Sequence, residues 1–194
     1  MAVRLPAPRR RRQLLDTARD VFAAKGFHAT SMDDVADAAG VSKPVLYQHF
    51  RSKRDLYLAL LDDVGEHLMT LITAATAEAG TPRAQVERGF EAYFRFVADH
   101  ESAFRLLFAS GARRDEEFAE AVRKVEAAIA ETIAALIDVD VDPDHRRLLA
   151  HGIVGLAEGT GRHWVAHDLD LDPEVVARRT ALMAWAGLRG VRAD

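Results

Sequence analysis

Residues 31–50, SMDDVADAAGVSKPVLYQHF, fit two short helices joined by a tight turn and little else. Ser31 precedes Met32, Val35, Ala36 and Ala39, apolar positions that share one helical face. Asp34 stands three residues after Ser31, the spacing of a capping box, and puts an acid beside unpaired backbone N–H groups. Gly40 follows the last apolar position and can take the left-handed backbone that ends a helix. Val41 can then plug the core. Ser42 is placed to cap a second helix, with Pro44 in its first turn, where a missing N–H costs little. On that helix Leu46 and Phe50 are four apart and pack inward. Lys43, Pro44, Val45, Tyr47, Gln48 and His49 cover the other faces.

A short helix that displays a cation, a phenol, an amide and an imidazole, braced by another helix, suits the major groove of DNA. A plain helical hairpin with a solvated face is the alternative. The flanks, RRRRQLLDTARDVFAAKGFHAT before and RSKRDLYLALL after, narrow the choice. Through Ala18, Phe22, Gly26, Phe27, Thr30, Ser31, Val35, Ala36, Ala39, Gly40, Val41, Ser42, Leu46, Tyr47, His49, Phe50, Ser52, Lys53 and Leu56, the first quarter of the chain resembles the TetR family of transcriptional regulators. Pro44-Val45 departs from the small or polar pair common there, so base preference does not carry over.

The resemblance implies an all-α fold of about nine helices. Residues 1–56 would form a three-helix helix-turn-helix DNA-binding domain, and residues 57–194 a ligand-binding and dimerisation domain. It implies a homodimeric repressor, not an enzyme, that leaves a palindromic operator when a small hydrophobic effector binds the second domain. A ligand-independent or activating regulator stays open. The implied DNA contacts are Arg9, Arg10, Arg11, Arg12, Thr30, Ser31, Ser42, Lys43, Pro44, Val45, Tyr47, Gln48, His49 and Lys53, with Thr30, Tyr47 and Lys53 at phosphates.

Charge supports this polarity. Residues 1–56 hold 11 Lys+Arg and 6 Asp+Glu, a balance of +5, whereas the whole chain carries −4, which leaves −9 for the remainder. A basic head on an acidic body directs DNA to the head. Arginines at the start of a helix oppose its macrodipole, a cost that nearby phosphate offsets; a solvated charge run is the plainer explanation. With no cysteine, disulfide and thiolate chemistry are excluded. The basic N-terminus lacks an apolar signal core, and no apolar run spans a bilayer, so a cytoplasmic protein is expected.

Along the chain, residues 1–8 read as an arm. Leu14, Leu15, Ala18, Val21 and Phe22 make the first apolar stripe, ended by Gly26. A helix from about Lys53 to Ala79 follows, and Gly80-Thr81-Pro82 stops it and starts the next. A short helix should end near Gly111, with a charged turn over 113–117. The segments DVDVDPD (138–144) and DLDLDPE (168–174) announce two more helices, with Asp142 and Asp172 as N-caps before Pro143 and Pro173. Their alternating aspartates suggest a calcium loop, but proline stands where that loop needs glycine.

In the body, Leu68, Phe90, Tyr93, Phe94, Phe104, Arg105, Phe108, Phe118, Val122 and Trp164 are the candidate effector-pocket residues. Plain core is the usual meaning of such stripes. Leu148, Gly152, Gly155, Leu156, Gly159, Val176, Leu182, Met183, Trp185 and Ala186 are the candidate dimer interface. Glycines within one helix suggest close approach of another backbone or a local kink. No catalytic constellation or cofactor motif appears. His163 and His167, four apart, could share a metal and leave a metal-dependent enzyme as a remote alternative; imidazoles near a helix C-terminus have a blander electrostatic explanation.

Overall fold

The computed structural model describes residues 5–108 and 115–191. Among the described residues all regular elements are helices: α1 (Ala7–Ala29), α2 (Met32–Ala38), α3 (Lys43–His49), α4 (Lys53–Ala77), α5 (Pro82–Asp99), α6 (Glu101–Phe108), α7 (Glu116–Leu136), α8 (Pro143–Ala166) and α9 (Pro173–Leu188). None is long and apolar enough to cross a membrane. Residues 1–4 of the expected arm, the expected stop near Gly111 and residues 113–114 of the charged turn lie outside the described residues.

Local chemistry sets the helix starts. Asp142 accepts from the N–H groups of Asp144 and His145, both at 2.9 Å. Those bonds, His145 first, hold its carboxyl below the ordinary carboxylate range. Asp172 accepts from Glu174 N–H at 2.7 Å, and Thr81 Oγ1 accepts from Ala84 N–H at 3.1 Å. Proline follows each cap, where its missing N–H removes no helical bond. The same tolerance lets α1 begin at Ala7, so the arm is shorter than the one read to Pro8. Gly26, at φ 77°, breaks α1 near its end.

The chain packs as two compact units. One comprises residues 1–64 and 102–121, the other 65–101 and 122–194. The first is built around Leu14, Leu15, Ala18, Phe22, Leu46, Phe50, Leu56 and Leu60, all buried. An aromatic cluster completes it. Phe118 lies 4.7 Å from Phe27 and 4.6 Å from Tyr57, and Tyr57 meets Phe22 edge-on at 5.0 Å. Such pairs add ~0.5–1.5 kcal/mol beyond their area burial. Burial pushes the Tyr57 hydroxyl up to about 12. Arg54 covers Phe118 at 4.7 Å and holds Asp115 and Glu117, each at 2.6 Å.

In the second unit α5 is the central helix. Phe90, Tyr93, Phe94, Phe96 and Val97 are buried on it, and α9 packs along it with Val176, Ala177, Thr180, Ala181 and Ala184. The small residues of α9 permit that approach, and Thr180 returns its hydroxyl to the Val176 carbonyl at 2.8 Å, so that hydroxyl is not stranded.

Candidate nucleic-acid interface

The helix-turn-helix is fixed by short-range bonds. Ser31 Oγ accepts from Asp34 N–H at 3.1 Å, and the Asp34 carboxylate accepts from Ser31 N–H at 2.7 Å, completing the capping box. Lys25 joins at 2.6 Å and, with Ser31, holds the Asp34 carboxyl well below its usual range. Gly40 takes φ 64°, and Val41 N–H returns to the Ala36 carbonyl at 3.0 Å, ending α2. Gln13 ties α1 to this turn through the Ala39 carbonyl at 3.1 Å. Ser42 occupies the N-cap of α3, but its side chain makes no capping bond; its carbonyl accepts from Val45 at 2.9 Å. The Ser42 hydroxyl is therefore exposed and unspent on the helix.

Leu46 is 0 % and Phe50 1 % exposed, which fixes the rotation of α3. Lys43, Pro44, Tyr47 and Gln48 are consequently exposed, and Val45 and His49 half-buried. This face carries the donors, acceptors and apolar edges that base-pair edges can pair with. Ser31 is also exposed.

The cations divide by their partners. Arg9 is exposed, Arg10 donates to Gln13 at 2.6 Å, and Arg11 lies over the Phe50 ring at 5.0 Å. Arg12 is held between Asp16 and Asp63, both at 2.7 Å, which raises its pKa, Asp16 contributing most. Its charge is thus largely neutralised within the protein, unlike that of Arg9–Arg11. Lys43 pairs with Asp33 at 2.8 Å, and that carboxylate raises the ammonium's pKa.

Two residues expected at phosphates have structural tasks here. Thr30 is 2 % exposed and donates its hydroxyl to the Gly26 carbonyl at 2.8 Å. Its hydroxyl is thus committed to a carbonyl of its own chain. Lys53 Nζ donates to the carbonyls of Phe27 at 2.8 Å and Thr30 at 2.7 Å, and lies 4.5 Å from the Phe27 ring centre. It satisfies carbonyls left open at the end of α1. Arg51, exposed directly after Phe50, was missed by the sequence reading. The run RSKR around it was the available signal.

The ten candidate pocket residues fall in both units. Leu68, Phe90, Tyr93, Phe94 and Val122 are buried in the second unit, and Trp164 is half-buried there, 6.0 Å from Phe94. Phe104, Phe108 and Phe118 are buried in the first, and Arg105 on α6 is exposed. Phe118 belongs to the cluster with Phe27 and Tyr57, so its ring is committed to core packing. Sequence reasoning also missed Glu158, a buried acid on α8 that pairs with Arg162 at 3.1 Å. Burial first, and Glu158 next, push the Tyr93 hydroxyl upward from its ordinary value. Only the Glu-x-x-x-Arg spacing could have drawn notice to Glu158, and such pairs usually lie in solvent.

On α8 and α9 an apolar face is open. Leu148 is 70 %, Leu182 63 % and Met183 58 % exposed. Gly152, Gly155 and Ala186 are exposed, and Leu156, Gly159 and Trp185 half-buried. A Cβ on Gly152, Gly155 or Gly159 would meet nothing within 4 Å, so these glycines serve no close approach within their own chain. Val176, expected on the same face, is buried against its own chain because it lies on the α5 side of α9.

Residues 14–60 match the family described as bacterial regulatory proteins, tetR family, and residues 82–187 match the tetracyclin repressor-like C-terminal domain. The chain is 35 % identical over 190 residues to the HTH-type transcriptional activator FasR of Mycolicibacterium smegmatis (strain ATCC 700084 / mc(2)155), covering 97 % of this chain and 87 % of that one. A TetR-like transcriptional regulator from Rhodococcus sp. RHA1 superposes with a TM-score of 0.79 at 31 % identity, covering 97 % of this chain and all 100 % of the other. The Bacillus subtilis regulator FadR, solved with stearoyl-CoA, shares the fold: TM-score 0.81, 18 % identity, 91 % and 98 % coverage.

Proposed function

Because this chain belongs to the TetR family of bacterial regulatory proteins, we propose that it acts as a homodimeric repressor that releases a palindromic operator when a small hydrophobic effector binds. It is a DNA-binding transcriptional regulator, not an enzyme. Residues 1–56 are the reader and residues 57–194 the effector-binding and dimerisation domain in this reading.

The observation that carries the proposal is α3, anchored by Leu46 and Phe50 and presenting Lys43, Pro44, Val45, Tyr47, Gln48 and His49 outward. Gln48 can bond an adenine edge twice, Lys43 a guanine, and Val45 can touch a thymine methyl. Ser31, Ser42, Tyr47 and the arginines Arg9–Arg11 are assigned to the phosphate backbone, which positions the reader without specifying sequence. The exposed leucines, Met183 and open glycines of α8 and α9 support self-association across a two-fold axis, since a face this apolar calls for a cover. A symmetric dimer implies two half-sites about one helical turn, ~34–36 Å, apart or a multiple of that.

Phe90, Phe94 and Leu68 favour a largely apolar effector, such as an acyl chain or an aromatic compound. It would act by preferring a dimer with misplaced readers, and operator and effector would weaken each other by the same factor. Activation is a second reading, favoured by the FasR relative, which is named an activator.

Selection of bound DNA from a random pool tests the reader. The expected result is an inverted repeat, with Gln48→Ala relaxing one position in each half-site by about 1–3 kcal/mol. A motif without symmetry, or one unchanged in the variant, would overturn the assignment. A reporter fused to a selected site then separates repression from activation.

A further inference from the structure

We propose that His163 and His167 form a two-histidine chelate for a late first-row divalent metal ion of the Cu(II), Ni(II) or Zn(II) class. The pair closes α8: His163 stands in its last turn and His167 at its C-cap, four residues apart and thus on one face. Both side chains are exposed, and their ring centres lie 4.2 Å apart with planes tilted by 36°. Two metal–nitrogen bonds of ~2.0–2.1 Å around a tetrahedral ion set their nitrogens about 3.3 Å apart. Ring centres 4.2 Å apart are compatible with a shared ion at that nitrogen spacing.

The hydrogen bond that His167 makes is also suited to the task. Its Nδ1 lies 3.0 Å from the His163 carbonyl oxygen. A carbonyl only accepts, so Nδ1 carries the proton, and in the neutral ring Nε2 keeps its lone pair. Metal-binding histidines commonly fix their tautomer by such a bond from the second nitrogen. The turn beneath the pair is braced as well. Leu169 N–H donates to the Trp164 carbonyl at 3.2 Å, and Trp164 Nε1–H donates to the Leu169 carbonyl at 3.0 Å. This reciprocal pair holds the segment that carries His167, so less order must be imposed when a metal binds.

The donor set selects the metal. Imidazole suits copper, nickel and zinc, whereas magnesium and calcium favour oxygen ligands. Among the described residues no group of three or more His, Cys, Asp or Glu side chains is placed to hold a metal. Two protein ligands leave the other coordination positions to water. The site is therefore an exchangeable surface chelate, distinct from a closed structural site and from a catalytic one with three protein ligands.

The test uses the full chain without an affinity tag, titrated calorimetrically with Cu(II), Ni(II) and Zn(II) in turn. One ion per chain is expected, with Cu(II) tightest. His163→Ala and His167→Ala should each weaken binding at least tenfold. His151→Ala, an exposed histidine on the same helix outside the pair, should leave it unchanged. Paramagnetic resonance of the Cu(II) form should show two coordinated imidazoles in the wild type and one in each variant. Binding that survives both substitutions, or no ion held more tightly than millimolar, would overturn the proposal. Circular dichroism of the variants confirms that the fold is retained, as exposed positions allow.

Discussion

Replacing Gly65 by alanine should destabilise the second unit, and removing the facing side chain should reverse the sign. Gly65 lies on α4 where α7 crosses it. A Cβ added there would meet both γ-carbons of Val125, Cγ2 closest and Cγ1 at 2.9 Å, and its Cβ at 3.3 Å. Ordinary carbon contacts begin near ~3.5 Å, so the overlap with Cγ1 alone is about 0.6 Å. Rotating Val125 about χ1 does not relieve it, because its Cβ is itself close and β-branched side chains are stiff in helices. Overpacking of this kind costs about 1–3 kcal/mol. Alanine regains ~0.8–1.0 kcal/mol of helix propensity over glycine. The overlap wins, with a net loss of about 1 kcal/mol expected. In a Val125→Ala background only the Cβ contact remains, and the propensity term should make Gly65→Ala stabilising by up to about 1 kcal/mol. The cycle should therefore show a coupling of about 2 kcal/mol, within the range for touching residues. Urea unfolding followed by tryptophan fluorescence is the assay. Trp164 and Trp185, the two tryptophans of the sequence, both lie in the unit that holds Gly65 and Val125. Protein concentration must be held fixed, since self-association shifts apparent stability. A Gly65→Ala variant as stable as wild type, or one whose effect does not depend on Val125, would refute the close crossing.

Three further outcomes are expected. Asp115, held down to about 2 by Arg54 from an ordinary 3.8, lends stability that is fully present above 3.8 and is lost as pH falls toward 2; Asp115→Asn should flatten that part of an acid-unfolding profile, and an unaltered profile would remove the pair from the account. Leu182→Asp should place an unpaired charge on the apolar face of α9 and shift sedimentation toward the monomer at micromolar concentration, whereas the same change leaves the sedimentation unaltered if the face is uncovered. Asp33→Asn should free the Lys43 ammonium, now 2.8 Å from that carboxylate, and tighten binding to random-sequence DNA a few-fold at low salt; with the pair exposed, no gain above physiological salt is expected.

What the sequence determined by itself is the set of features written within four or five residues. The Ser31–Asp34 box, the turn at Gly40, the Asp142 and Asp172 caps and the inward Leu46 and Phe50 need only backbone geometry and their near neighbours. The resemblance to a known family was legible for the same reason, because its fixed residues serve that local geometry. The partner of each long side chain was not legible. Lys53 reaches carbonyls 23 and 26 residues back, and Arg12 reaches Asp63 across 51 residues. Thr30 reads as an exposed polar residue until Gly26 folds its carbonyl onto it, and Phe118 reads as body until it packs edge-on against Phe27 and at a tilt against Tyr57. Val176 and Glu158 owe their burial to helices brought alongside by the fold, not to their own helical period. A helix's stripe tells which face is apolar, but only the packed neighbours decide which end of a long side chain remains in water, and which charge meets its opposite before DNA arrives.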